Sequence, residues 1–408
     1  MAGMNETVSA LRTRIAFFGR RNAGKSSLIN ALTCQQVAIV SEVPGTTTDP
    51  VSKAMEMLPL GPCLVTDTAG LDDEGELGEK RVKRTLDVLE ATDVAVLAVP
   101  CGEDAGREAG FIASRCRERK VALVVARTKL DLAPGAATGE GEIAVSAKTG
   151  EGVEALRAAI AAAVPQETPR PLVSDLVKKG DVVLCACPID EAAPKGRLIL
   201  PQQQTIRELL ENGACALVCQ PGEIRSVVAK AGVENISFAI TDSQAFAEVD
   251  AALDANVPLT SFSILFARQK GDLAAFAAGA EALKSVEDGD RILVSEGCTH
   301  RKRCGDIGTV KIPALVRKYT GREPVFEFSS GGDFPVGAEW PLPKLVIHCG
   351  GCMLSRRTVM SRLERCREAG IPVVNYGIAI ALMKGMVADP ATAMVARKRA
   401  KEGIGRMR

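Results

Sequence analysis

An α/β architecture in three units is what these 408 residues predict, and three observations carry the prediction. Short apolar runs of strand length alternate with stretches whose apolar residues recur at helical spacing, the rhythm of a parallel sheet covered by helices. A glycine-rich turn, "GRRNAGKS" at 19–26, follows the first such run and opens a helix-like stretch, which is the context of a phosphate-binding P-loop. The strand–helix rhythm then starts afresh after "PQETPRPL" at 165–172, whose prolines read as a linker. The expected units are 1–168, with the P-loop, and two smaller α/β domains at 169–265 and 266–408.

In the first unit the strand "RIAFFG" leads into the turn, and Gly19 and Gly24 permit its tight path. Backbone N–H groups of the loop and of the following helix, Ser27 included, face the phosphates; Lys25 reaches the outer ones and Ser26 ligates Mg2+. "LVTDTAG" then places Asp67 at a strand end, where its carboxylate can hold the Mg2+ shell, and Gly70 where its N–H can meet a γ-phosphate. Guanine is favoured by "RTKLD" at 127–131 and "VSAK" at 145–148. Asp131 can accept from N1 and N2 of guanine, a pairing adenine cannot offer, and the Ala147 N–H can meet O6. Thr128, Lys129, Ser146 and Lys148 complete the expected base site. The order of these motifs is similar to that of translation-factor-like GTPases, except that Thr128 stands where asparagine is usual.

"VPGTTTDP" supplies the switch threonine, with Thr47 expected on Mg2+ and Thr46 and Thr48 as near competitors. Lys25, Thr47, Asp67 and Gly70 form the expected catalytic set. Leu71 occupies the place where many P-loop GTPases carry a glutamine that orients water, and leucine cannot do so. Asn22 inside the loop suggests the substitute. The combination resembles the tRNA-modification and ribosome-assembly GTPases, a resemblance that implies a K+ ion bound with the help of that asparagine. The unit closes with the helix "VEALRAAIAAAV".

In the second unit "DVVLCACPI", "ACALVCQ", "NISFAIT" and "SFSILFA" read as strands, and "PQQQTIRELLENG" and "EIRSVVAKAG" as helices. Cys185 and Cys187 alternate on one strand face and are expected in the core. The third unit, opening near "GDLAAFAAGAEALKSVEDGDRILVSEGCTH", holds both histidines of the chain, and each stands by a cysteine. Cys298-Thr299-His300 is followed, after residues 301–347, by His348-Cys349-Gly350-Gly351-Cys352. A Cys-x-x-Cys turn brings two thiolates to one metal or cluster, and its two glycines let N–H groups point at sulfur. Three cysteines are one short of the usual four for a cubane cluster, so either histidine completes the set or a position stays open. Cys304, beside the basic run Arg301–Arg303, is a competitor for the site, whereas Cys366 shares a helical face with Val359 and Leu363 and is expected to pack in the core. The tail "ARKRAKEGIGRMR" reads as a solvated end.

Composition bounds the function. The formal charge of +1 gives no global pull on nucleic acid, and 3% aromatic residues supply few platforms for bases. The chain shows neither a signal-peptide pattern nor a run of 18 apolar residues, so a cytoplasmic protein that neither crosses a membrane nor binds nucleic acid is expected. Thirteen cysteines in that reducing setting are thiols or ligands rather than disulfides.

On the P-loop set, "GRLILPQQQTIRELL", "CTHRKRCGDIGTVKIP" and "HCGGCMLSRRTVMSRL", the chain resembles the [FeFe]-hydrogenase maturation GTPase family, HydF, over nearly its whole length. The resemblance implies a GTPase domain at 1–168, a dimerisation domain at 169–265 and an iron–sulfur domain at 266–408. It implies a scaffold with a [4Fe-4S] cluster on Cys298, Cys349 and Cys352 and an exchangeable fourth ligand, His300 or His348. It further implies a transient di-iron precursor as cargo, two radical-SAM maturation enzymes and apo-[FeFe]-hydrogenase as partners, and a homodimer. In an extended strand His348 would point away from Cys349, whereas Cys298 and His300 would share a face, which favours His300. The same ligands suit a structural Cys3His zinc site in a GTPase of RNA modification or ribosome assembly. A scaffold that binds GTP without using its turnover is the non-enzymatic alternative.

Overall fold

The computed structural model describes residues 9–33, 51–68, 70, 84–165, 170–189, 198–298, 306–336 and 341–396. Thr46, Thr47, Thr48, Leu71, His300, Arg301–Arg303, Cys304 and the tail from 397 lie outside these residues. The chain divides into two compact units, 1–168 and 169–408.

The first unit runs β1 (Thr13–Phe18), α1 (Lys25–Thr33), β2 (Val51–Met57), β3 (Gly61–Asp67), α2 (84–90), β4 (Val94–Pro100), α3 (Gly106–Glu118), β5 (Ala122–Thr128), β6 (Glu142–Ala144) and α4 (Val153–Ala163). The strands join in the order β2-β3-β1-β4-β5-β6, all parallel to their neighbours except β2. Side-chain alternation explains the two cores. Ile15 and Phe17 belong to a cluster with Leu28, Ile29 and Leu156, from α1 and α4, while Ala16 and Phe18 belong to another with Leu89 and Ile112, from α2 and α3. Burial on both faces is why β1 and β4 read as unbroken apolar runs.

The second unit begins with β7 (Val182–Ala186), α5 (Leu200–Glu211), β8 (Cys215–Cys219), α6 (Ile224–Ala231), β9 (Ile236–Thr241), α7 (Phe246–Ala252), β10 (Leu259–Ser261), α8 (Phe262–Lys270) and α9 (Leu273–Ala280). It continues with β11 (Arg291–Glu296), α10 (Ile312–Thr320), β12 (Val325–Ser330), β13 (Leu345–His348), α11 (Arg356–Glu368), β14 (Val373–Asn375), α12 (Tyr376–Met383), β15 (Val387–Ala388) and β16 (Val395–Ala396). One sheet is β15-β16-β10-β9-β7-β8 and the other β12-β11-β13-β14, the second wholly parallel. The strands of 387–396 join the sheet built from 182–261, and a single apolar core runs from Leu172 to Val395. Cys185, Cys187 and Cys366 are buried in it.

"SFSILFA" at 261–267, expected as a strand, is instead helix α8, and the strand beside it is only Leu259–Ser261. The Ser261 side chain caps the helix by accepting from the Ile264 N–H. Phe262, Ile264, Leu265, Phe266 and Ala267 are all buried, so no polar face exists to reveal the helical period.

Candidate functional site

The P-loop leaves the C-terminal end of β1, flanked in the sheet by β3 and β4. Gly19 has φ +145°, and a Cβ there would stand 2.4 Å from the Ala98 carbonyl oxygen, so only glycine fits the bend. Lys25 is buried and donates to the carbonyls of Gly19 (2.9 Å) and Arg20 (2.7 Å), which holds its ammonium in the concavity of the loop. Asp67 ends β3 in register with Phe17, and its Oδ2 accepts from Ser26 Oγ at 2.5 Å. Among the described residues its other oxygen is buried without a hydrogen-bond partner. Burial raises the Asp67 pKa, against the Ser26 hydrogen bond and the Lys25 charge. A buried carboxylate with one unpartnered oxygen, beside a hydroxyl at a helix start, fits the oxygen shell of Mg2+. Asn22 lies in the left-handed region at φ 59° and is exposed. Among the described residues its side chain makes no hydrogen bond. Gly70 is half-buried beyond β3.

The residues expected to form the base site come together at the ends of β5 and β6. Ser146, fully buried, donates through Oγ to Asp131 Oδ1 at 2.7 Å and accepts from the Thr149 N–H, which fixes the carboxylate's direction. Thr128 explains its own departure from asparagine: its hydroxyl donates to the Ala23 carbonyl at 2.6 Å, tying the base loop to the P-loop. Its one O–H proton is thereby used. Lys129 follows at φ 58°, and Ala147 and Lys148 continue past Ser146, half-buried and exposed.

In the second unit Cys298 and Cys349 lie just past the ends of neighbouring parallel strands, β11 and β13, where α/β sheets place their ligands. The Cys349 N–H donates to the Ser295 carbonyl (2.9 Å), which pins one strand end to the other. Cys349 Sγ accepts from the N–H of Gly297 (3.1 Å) and of Gly351 (3.4 Å), and Gly351 takes φ +67° to close the turn. Burial raises the Cys349 pKa while those two N–H groups pull it down. Burial foremost pushes Cys352 up to about 11. Thiols so held give up protons when metal binds. Among the described residues no three His, Cys, Asp or Glu side chains stand gathered as a metal shell. The donor chemistry fits a cluster nonetheless, since the two backbone N–H groups on one sulfur are those that stabilise a cluster thiolate.

His348 points into the unit. The Cys349 carbonyl can only accept, so Nδ1 carries the proton of their 2.7 Å contact, and Nε2 accepts from Arg362 at 3.2 Å. Burial and the Arg362 charge lower its pKa to about 3 and keep it neutral. In this conformation no ring nitrogen of His348 is left for iron. Arg362 itself is buried, stacks 4.9 Å from the Phe334 ring centroid and also reaches Ser295. The spacing of Val359, Arg362 and Cys366 puts this arginine on an apolar helix face, a signal that was present in the sequence. Asn375, which bonds the Cys349 carbonyl, and Lys270 gave no such signal.

Residues 172–271 match the family model of the hydrogen maturase F dimerization domain, 274–391 that of the hydrogen maturase F tetramerization domain, and 14–129 that of a 50S ribosome-binding GTPase. The tRNA modification GTPase MnmE of Methylorubrum populi is 40% identical over 147 residues, 36% of this chain and 31% of that protein. GTPase Der of Xylella fastidiosa is 40% identical over 124 residues, 29% of this chain and 26% of that protein. The chain thus spans about a third or less of the length of these relatives. A crystal structure of Era from Aquifex aeolicus aligns at 18% identity with a TM-score of 0.34, covering 54% of this chain and 98% of that one. Among the described residues no helix is long and apolar enough to cross a membrane. The two maturase models follow one another directly behind the GTPase unit and between them take up most of residues 169–408, and on that ground the chain belongs to the HydF family of hydrogenase-maturation GTPases.

Proposed function

We propose that this chain is a cytoplasmic, GTP-hydrolysing scaffold that carries a [4Fe-4S] cluster and a di-iron precursor and delivers the precursor to apo-[FeFe]-hydrogenase. Two radical-SAM maturation enzymes supply the precursor, and the chain works as a homodimer through 169–265, with 266–408 holding the cluster. Cys298, Cys349 and Cys352 are the fixed ligands and His300 the exchangeable fourth. Three thiolates and one weak ligand leave an iron able to accept a bridging group from the cargo, which four thiolates would prevent. The observation that carries the reading is the pair of N–H groups on Cys349 Sγ, at a strand end beside Cys298, on the same chain as a P-loop GTPase unit. Anaerobic purification followed by iron, zinc and EPR measurements tests it. A stoichiometric zinc ion without iron sinks the cluster, and loaded protein that never activates apo-hydrogenase sinks the delivery.

In the GTPase unit Ser26, Thr47 and Asp67 hold Mg2+, Lys25 and Gly70 stabilise the outer phosphate, and Asp131 and Ala147 select guanine, with Thr128, Lys129, Ser146 and Lys148 around the base. Gly19, Gly24 and Ser27 shape the phosphate loop. With Leu71 unable to position water, K+ supplies the missing positive charge, held by the Asn22 side chain, whose exposure and left-handed backbone leave it open to a ligand. GTP turnover is expected to rise severalfold from sodium to potassium at constant ionic strength, and Asn22→Ala to erase the difference while nucleotide still binds. Equal rates in both salts overturn the assignment.

Replacing His300 with alanine is expected to keep the [4Fe-4S] cluster but alter its EPR signal and its response to added imidazole. An unchanged spectrum moves the fourth position to water or another side chain.

A further inference from the structure

The Cys349–Cys352 turn rests on α8, a helix from the dimerization segment that precedes the cysteine-bearing one. Ser263 on α8 packs beneath Gly350, its Oγ 3.2 Å from where a Cβ would stand. At the end of the same helix Lys270, only 5% exposed, donates through Nζ to the carbonyls of Gly351 (3.1 Å), Cys352 (3.0 Å) and Leu354 (2.7 Å). An ammonium has three protons, and each of these carbonyls takes one. The favour is returned: Arg356, which opens α11, donates through Nη1 to the carbonyls of Gln269 (3.2 Å) and Gly271 (3.1 Å). Those carbonyls lie at the end of α8, where the helix leaves its last acceptors without intrahelical donors. Each segment therefore caps the other at the cysteine turn.

We propose that Lys270 is a positioning residue for the cluster: by gripping three carbonyls of the Cys349–Cys352 turn it sets the turn's backbone before iron arrives and couples it to α8. The inference rests on the cluster reading above. A lysine here satisfies three backbone acceptors in one step; an apolar side chain of the same length would take that donor from all three, the Gly351 carbonyl keeping the Leu354 N–H (2.9 Å). Its ammonium, held at the Cys352 carbonyl (3.0 Å), also acts by its charge on the Cys352 thiol, which favours the reduced, more negative cluster.

The test uses the full-length chain, reconstituted anaerobically, as wild type, Lys270→Met and Lys270→Arg. Cluster loss to an iron chelator is followed by absorbance, and the midpoint potential by EPR-monitored titration. Lys270→Met is expected to lose iron at least tenfold faster than wild type. Its reduction equilibrium is expected to shift about tenfold toward the oxidised form, ~59 mV more negative for one electron. Lys270→Arg, which keeps charge and donors, is expected to recover most of both. Wild-type retention and potential in Lys270→Met overturn the proposal, as does an arginine variant no better than methionine. Should the methionine variant not fold, Lys270→Gln, which keeps two N–H donors without the charge, is judged by the same two measurements. A wild-type chain that takes up no iron refutes the cluster reading itself, an outcome distinct from indifferent Lys270 variants on a loaded chain.

Discussion

Serine at Cys298, Cys349 or Cys352 is expected to abolish stable [4Fe-4S] binding and hydrogenase maturation while GTP turnover stays near wild type. The separation follows from where the residues stand. The P-loop belongs to the unit 1–168 and all three cysteines to the unit 169–408. The loss follows from the chemistry of the ligand. A cluster needs thiolates, and a serine hydroxyl neither ionises near neutral pH nor offers a soft donor to iron. At Cys349 the two N–H groups of Gly297 and Gly351 are placed for a large sulfur atom, and a shorter, smaller oxygen leaves them poorly met. Cys366 provides the control. It is fully buried in the α11 core, with its thiol pushed up to about 12, so Cys366→Ser should keep the cluster and cost about 1–3 kcal/mol of stability instead. Cys304→Ser should also keep the cluster. Iron and sulfide per chain, EPR and GTP turnover decide each case, and a variant holding a full iron complement removes that cysteine from the ligand set.

The parts of the fold legible in the sequence were those written locally. The P-loop is a contiguous pattern between a strand and a helix, and the doubly buried strands β1 and β4 announce themselves as apolar runs. The helix α8 escaped because burial on every side erases the period that distinguishes helix from strand, leaving only the Ser261 cap as a clue. The candidate site divides in the same way. Cysteines and histidines at short spacing could be read directly, and so could the departure at Thr128. What Thr128 does could not, since its partner Ala23 lies on the other side of the P-loop and 105 residues away. Lys270 and Arg356 were illegible for the same reason: each acts on carbonyls more than 80 residues distant, and any residue has a carbonyl.

Asp67→Asn is expected to stabilise the nucleotide-free GTPase unit while lowering GTP turnover by at least about 100-fold. Both effects come from one buried carboxylate. Burial holds the Asp67 pKa above its unfolded value. For an acid shifted upward, the folded state is favoured while the group is protonated: the contribution is complete below the unfolded pKa and is lost as pH climbs through the folded one. At neutral pH the ionised group therefore burdens the fold, the more so because Oδ1 has no hydrogen-bond partner among the described residues. An asparagine oxygen still accepts from Ser26, and a neutral amide costs less to bury than a charge. The gain is expected as a higher unfolding midpoint for the variant in EDTA at pH 7, where the wild-type carboxylate is ionised. The gain should vanish below about pH 4, where the wild-type carboxyl is protonated as well. Catalysis runs the other way. The charge that burdens the empty site is what draws Mg2+ to Ser26 and the phosphates, and several kcal/mol of transition-state stabilisation depend on that ion. Wild type should accordingly gain far more thermal stability from Mg2+ with GDP than the variant does. A variant with wild-type turnover and an unchanged response to Mg2+ would remove Asp67 from the metal site and leave its buried, unpartnered oxygen without a function.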